Sequence, residues 1–113
     1  MKTVFHVSDG ADAIQDAAIR YAGGIFEDHS VDIDAVAVVA NASGIELVQT
    51  NSTYADEIST LSEEDVQFIA CEKSMEAAGL TPDDILDAVD TAPTSVGVLT
   101  RLQEEKYRYI KVP

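Results

Sequence analysis

Between Val36 and Ala40 the chain reads Val-Ala-Val-Val-Ala, an apolar run with no polar interruption. A strand with one wet face alternates polar and apolar residues. A short, β-branched run that does not alternate predicts a strand covered on both sides, the environment of a central strand in a parallel sheet. The chain must then supply helices for both faces, and its sequence alternates in that manner.

Thr3 to Val7 reads as a short apolar strand, and Ser8-Asp9-Gly10 as a turn. Ile14, Ala18, Tyr21 and Ile25 recur at helical spacing and predict a helix from Asp12 to about Asp28. The Gly23-Gly24 pair weakens it, each glycine by about 1 kcal/mol relative to alanine. The central strand is expected over 33–40 and ends in Asn41-Ala42-Ser43-Gly44. A helical turn is expected over Ile45 to Val48. Tyr54, Ile58 and Leu61 mark a further helix. Val66-Gln67-Phe68-Ile69-Ala70 is the third strand, ending at Cys71. Glu72 to Ala78 reads as a helix stopped by Gly79. Thr81-Pro82-Asp83-Asp84 has the signature of another helix start. Val89 to Ala92 is a fourth strand. A helix opening at Pro93 should turn Val96, Leu99 and Leu102 or Gln103 inward. Tyr107 to Val112 alternates and predicts a half-wet edge strand.

Five strands separated by helices predict an α/β protein: a three-layer α/β/α sandwich on a mainly parallel five-stranded sheet. The 113 residues suffice for one core, so a single domain over 1–113 is expected. In such folds ligands gather at the carboxyl ends of the strands. That rule nominates Ser8 to Asp12, Asn41 to Gly44, Cys71 to Ser74 and Ala92 to Ser95.

Charge narrows the partners. Lys and Arg number 7 against 21 Asp and Glu, a net charge of −14. Between Thr3 and Asp65 the only base is Arg20. Arg101, Lys106, Arg108 and Lys111 crowd the C-terminal end. This balance repels nucleic acid and anionic membranes, so neither is expected as a partner. Such self-repulsion is relieved at molar salt, where the Debye length falls to about 3 Å, and a halophilic origin is expected. No apolar run approaches the ~20 residues that span a bilayer. The Met1-Lys2-Thr3-Val4 start lacks a signal peptide's apolar segment. A cytoplasmic location is therefore expected.

Cys71 is the only cysteine, which excludes an intrachain disulfide and suits a reducing compartment. It stands where a buried strand gives way to a helix, near unpaired backbone N–H groups. A free thiol titrates near pH ~8.5 and such surroundings lower that value. Lys73 and Ser74 follow closely enough to support a sulfur anion. The plain alternative is a small buried hydrophobe, the commonest role of a free cysteine. His6 lies within the first strand and His29 near a helix end. Two distant histidines and one cysteine give no zinc spacing, so no metal and no organic cofactor is expected. The carboxylate pairs Asp32/Asp34 and Asp83/Asp84 are ordinary in so acidic a chain.

The chain resembles the DsrE/DsrF-like family, in its small intracellular sulfur-oxidation type. The matching pieces are Val4-Phe5-His6-Val7, Val38-Val39-Ala40 with the Gly44 loop, Val66 to Cys71, and Asp84-Ile85-Leu86. Pro93-Thr94-Ser95-Val96, Leu102-Gln103 and Tyr107 to Lys111 near Pro113 complete them. The resemblance implies a parallel α/β/α sandwich that assembles as homotrimers or hexamers. It also implies a cysteine at the end of the third strand that carries sulfur as a persulfide, the position of Cys71. Glu72-Lys73-Ser74 replaces the small polar residues usual in the family after that cysteine, and only Ser74 keeps the hydroxyl.

The expected function is sulfur carriage in an intracellular relay, a sulfurtransferase-like persulfide transfer between donor and acceptor proteins. Cys71 would be the reacting residue, with Lys73, Ser74 and His6 in support. Two alternatives share the fold: a non-catalytic oligomeric binding module, and a thiol redox sensor.

Overall fold

In the computed structural model, which describes residues 1–113, the strands are β1 (Lys2–Val7), β2 (Ala35–Ala40), β3 (Val66–Cys71), β4 (Val89–Ala92) and β5 (Tyr107–Val112). The helices are α1 (Asp12–Gly24), α2 (Ala55–Ser62), α3 (Glu72–Ala77) and α4 (Ser95–Glu104). The strands form one sheet in the order β4-β3-β2-β1-β5, and every neighbouring pair is parallel. This is the α/β architecture the alternating pattern predicts.

The strand order explains how the layers are built. From β1 to β4 the chain steps across the sheet in one direction, and then it crosses back to place β5 beside β1. Crossovers of one hand put helices on opposite faces when the direction of travel reverses. The larger apolar cluster accordingly joins Ala17, Ala18 and Ala22 of α1, Ile58 of α2 and Met75 of α3 to Phe5, Val36, Val38 and Phe68. The smaller cluster joins Val98 and Leu102 of α4 to Val4, Ala37, Val39, Ile69 and Ala92. Val36 through Ala40 is buried throughout, as a strand covered on both faces requires.

Several elements depart from expectation for identifiable reasons. The first helix does not run unbroken to Asp28. Its α-helical part ends at Gly24 and tightens into a 3-10 turn over Ile25–Glu27. Its buried apolar residues are the alanines Ala17, Ala18 and Ala22, while Tyr21 stays 40% exposed with its ring 6.1 Å from that of Phe5.

The helix expected from Thr81 is a single 3-10 turn, Pro82–Asp84. Its capping box forms, with Thr81 N–H donating to Asp84 Oδ2 at 2.9 Å. Tertiary pairing then stops it. The Leu86 N–H donates to Val48 O at 3.0 Å, and Ile85 bridges Gln49 in extended form.

In α4 the inward stripe is Ser95, Val98, Leu99 and Leu102, whereas Val96 is 76% exposed and Gln103 is also outside. The spacing i, i+3, i+4, i+7 is helical, but its first member is polar. A search for apolar residues alone lands one position late. That serine helps build the site.

Gly79 stops α3 as expected, with φ +72° and its N–H donating to Glu76 O at 3.0 Å.

Candidate functional site

The carboxyl ends of β1, β2 and β3 lie side by side, because Val7 is in register with Ala40 and Ala40 with Ala70. Cys71 ends β3 and caps α3, in extended conformation at φ −78°, ψ 118°. Its register partner is Ala92, the last residue of β4, so the first turn of α4 begins close by. Residues alternate faces along a strand, and Cys71 shares its face with Ile69, whose cluster contains α4.

The sulfur is covered. Cys71 is 3% exposed. Ser74 and Ser95, from the first turns of α3 and α4, are the residues that act on it. Cys71 belongs to neither apolar cluster, although it is buried with the core. Burial pushes the Cys71 thiol up. The hydroxyl and backbone N–H of Ser74, with the backbone N–H and hydroxyl of Ser95, favour the anion, and the net displacement is below the ordinary thiol value. Backbone N–H groups in a helix's first turn have no intrahelical acceptor, and those of Ser74 and Ser95 are near enough to act on the charge of the sulfur.

Both serine hydroxyls are held by other donors. Ala42 N–H donates to Ser74 Oγ at 2.8 Å. Asn41 Nδ2 donates to Ser95 Oγ at 2.9 Å. Each hydroxyl oxygen thus accepts from elsewhere, which leaves its own hydrogen free to turn toward the sulfur. Ala42 adopts φ 49°, a left-handed conformation that costs a non-glycine residue about 1 kcal/mol. The bond to Ser74 and the packing of Gly44 hold that loop in place.

His6 is half-buried between two partners, with Nε2 2.9 Å from Asn41 Oδ1 and Nδ1 2.6 Å from the Tyr109 hydroxyl. Burial lowers its pKa, the bond to Asn41 acts against that, and the charge of Lys111 lowers it further; the net shift is downward. His6 therefore stands two side chains from Cys71, through Asn41 and Ser95. Lys73 is exposed and makes no hydrogen bond or ion pair, and it is not among the groups acting on the sulfur. Ser8 to Asp12 joins the site loop through one hydrogen bond, Gly10 N–H to Ser43 Oγ at 3.1 Å, and through the close packing of Gly44 against Ser8.

Ser74 and Cys71 were legible as candidates. Asn41, Ser95 and Tyr109 were not singled out, although the strand-end rule nominated the segments holding the first two. A shallow hollow of about 320 Å³ lined by Ala42, Ser43, Ser74 and Ala77 adjoins the site. A larger one, about 460 Å³ between α1 and α2, is lined by Ile19, Arg20, Gly23, Asp56 and Leu61 and contains neither cysteine nor histidine. No three His, Cys, Asp or Glu side chains converge in a metal-binding group.

The family model for the DsrE/DsrF-like family matches residues 1–112. The chain belongs to the DsrE/DsrF-like family. Among solved structures, this DsrE/DsrF-like protein is similar to MTH1491, a protein of unknown function from Methanobacterium thermoautotrophicum. The two are 28% identical, with 97% of each chain covered and a TM-score of 0.89. It is also similar in fold to BT1422, a conserved protein of unknown function from Bacteroides thetaiotaomicron, at 14% identity and a TM-score of 0.75, covering 98% of this chain and 94% of that one. No curated protein matches the sequence. No helix is long and apolar enough to cross a membrane.

Proposed function

We propose that this DsrE/DsrF-like domain, residues 1–113, carries sulfur on Cys71 as a persulfide. The observation that carries this reading is the place of Cys71, at the end of β3 and the start of α3 and in register with Ala92 just before α4, where Ser74 and Ser95 favour its anion.

The Cys71 thiolate attacks the outer sulfur of a donor persulfide, R–S–SH. A new S–S bond forms, the donor's own S–S bond breaks, and the donor leaves as the thiolate R–S⁻. Cys71 then holds the outer sulfur with its proton, as Cys71–S–SH. An acceptor thiolate attacks that outer sulfur and Cys71 leaves as thiolate, so nothing is oxidised or reduced overall. A lowered pKa makes Cys71 a better leaving group while reducing its intrinsic nucleophilicity, and a carrier needs both steps near ambient pH. Because the sulfur is covered, transfer proceeds through local opening of the first turns of α3 or α4, with the donor and acceptor proteins bound at this edge. A reducing, cytoplasmic setting suits a lone free cysteine.

Homo-oligomers, trimeric or hexameric, are part of the same reading. Tyr109, Ile110 and Val96 remain exposed near α4 and the outer edge of β5, and an unpaired edge strand favours a partner.

The 3% exposure of Cys71 favours a second reading, an oligomeric binding module in which Cys71 is packing. Intact-mass measurement after incubation with a small-molecule persulfide separates the two. The carrier gains one sulfur atom on Cys71 and the Cys71→Ala variant gains none. An unmodified wild-type protein, or equal loading of both, overturns the carrier.

A further inference from the structure

The bonds around His6, Asn41 and Ser95 have a direction. An amide nitrogen only donates, so in the bond from Asn41 Nδ2 to Ser95 Oγ, at 2.9 Å, the serine oxygen accepts. The amide oxygen only accepts, so the proton between Asn41 Oδ1 and His6, at 2.9 Å, resides on His6 Nε2. Neutral His6 then has a lone pair on Nδ1, and the Tyr109 hydroxyl at 2.6 Å donates to it. Each bond dictates the next. They run from the half-exposed edge of the sheet on β5, across β1 and β2, to α4.

We infer that Tyr109, His6 and Asn41 form an oriented hydrogen-bond chain that aims the Ser95 hydroxyl at the Cys71 sulfur, making Asn41 and His6 positioning residues for sulfur transfer. The inference rests on the proposed function only in taking Cys71 as the reacting atom. The opposite polarity, with the Asn41 amide turned over, would draw the Ser95 hydrogen to Asn41 Oδ1 and leave that hydroxyl nothing to give the sulfur. An anionic Cys71 is an acceptor only, so it selects the polarity described. Ser74 needs no such chain, because the backbone N–H of Ala42 fixes its hydroxyl directly.

The test is the pH dependence of Cys71 alkylation by iodoacetamide in the intact folded protein. Its midpoint reports the thiolate fraction, which a merely structural contact would not move. Ser95→Ala is expected to raise the midpoint by about one pH unit, a tenfold loss of thiolate below it. Asn41→Ala is expected to raise it by less, and to have no further effect in the Ser95→Ala background, because it acts through that hydroxyl. His6→Gln, which retains a donor toward Asn41, should stay nearer wild type than His6→Ala. Tyr109→Phe, at an exposed position where folding is not at stake, should shift the midpoint in the same upward direction. Wild-type midpoints in Asn41→Ala and Tyr109→Phe overturn the inference, as do equal Asn41→Ala shifts with and without Ser95. Coupled midpoints in a protein that takes up no sulfur would retain the chain and retire the carrier; sulfur uptake with uncoupled midpoints would do the reverse.

Discussion

Gly44 packs against the backbone of Val7 so closely that a β-carbon at Gly44 would lie 2.2 Å from the Val7 carbonyl oxygen and 2.7 Å from its carbon. Both are main-chain atoms at the end of β1, so neither can rotate aside. Glycine is required here for close approach. This contact seats the loop after β2, whose Gly44 N–H also donates to Asn41 O at 2.9 Å. Gly44→Ala should destabilise the protein by about 1–3 kcal/mol, the usual cost of overpacking. It should also loosen Asn41. Urea unfolding and Cys71 alkylation measure the two effects, and wild-type stability would show that the strand end yields easily.

Ser74→Ala removes the one hydroxyl acting on Cys71 outside the His6 chain, keeps the backbone N–H groups, and frees the Ala42 N–H from its 2.8 Å bond. Its expected effect is a rise of about one pH unit in the alkylation midpoint, with little change in KM for a persulfide donor and a lower transfer rate. A midpoint at the wild-type value would remove Ser74 from the site.

His6 supplies a pH dependence of stability. Its folded pKa lies below the unfolded value of 6.5, chiefly through burial. As pH falls through 6.5 the unfolded chain takes a proton that the folded protein resists. Stability therefore declines from that point down to the depressed folded value and then levels for this group. Thermal melts of wild type and His6→Gln between neutral and mildly acidic pH should show a steeper loss in the wild type. Parallel curves would mean that His6 is not held neutral by the fold.

The net charge of −14 predicts a strong response to salt. Only three ion pairs form, Met1 N-terminus–Asp34, Arg20–Asp16 and Arg101–Glu105, all exposed. Exposed pairs contribute little, so most carboxylates repel one another uncompensated. Melting temperature should rise from dilute buffer to molar KCl as the repulsion is screened. A flat or falling curve would contradict the halophilic expectation.

The fold was legible because its cause is local and periodic. Val36 to Ala40 demanded cover on both faces, and the strand–helix alternation supplied it. The third strand and Gly79 likewise fell where apolar pattern and left-handed backbone placed them. The site was legible only by segment. Nothing local marks Asn41 or Ser95, whose bond spans 54 positions of sequence. Their roles exist only once β2 and α4 meet above β3. Ser95 was hidden further by being polar in an inward position, which shifted the expected face of α4 to Val96. Lys73 follows Cys71 closely in sequence, but α3 carries it to the exterior. The helix foreseen at Thr81 has every local signal it needs, and pairing of Leu86 with Val48 overrides them.

The most direct test of the account is the rate of Cys71 alkylation in the native protein across neutral to alkaline pH, compared with the same chain unfolded in urea. The account predicts measurable reaction while folded, with a midpoint below that of the unfolded chain. A sulfur that reacts only after unfolding, or whose folded midpoint lies above the unfolded one, would contradict it.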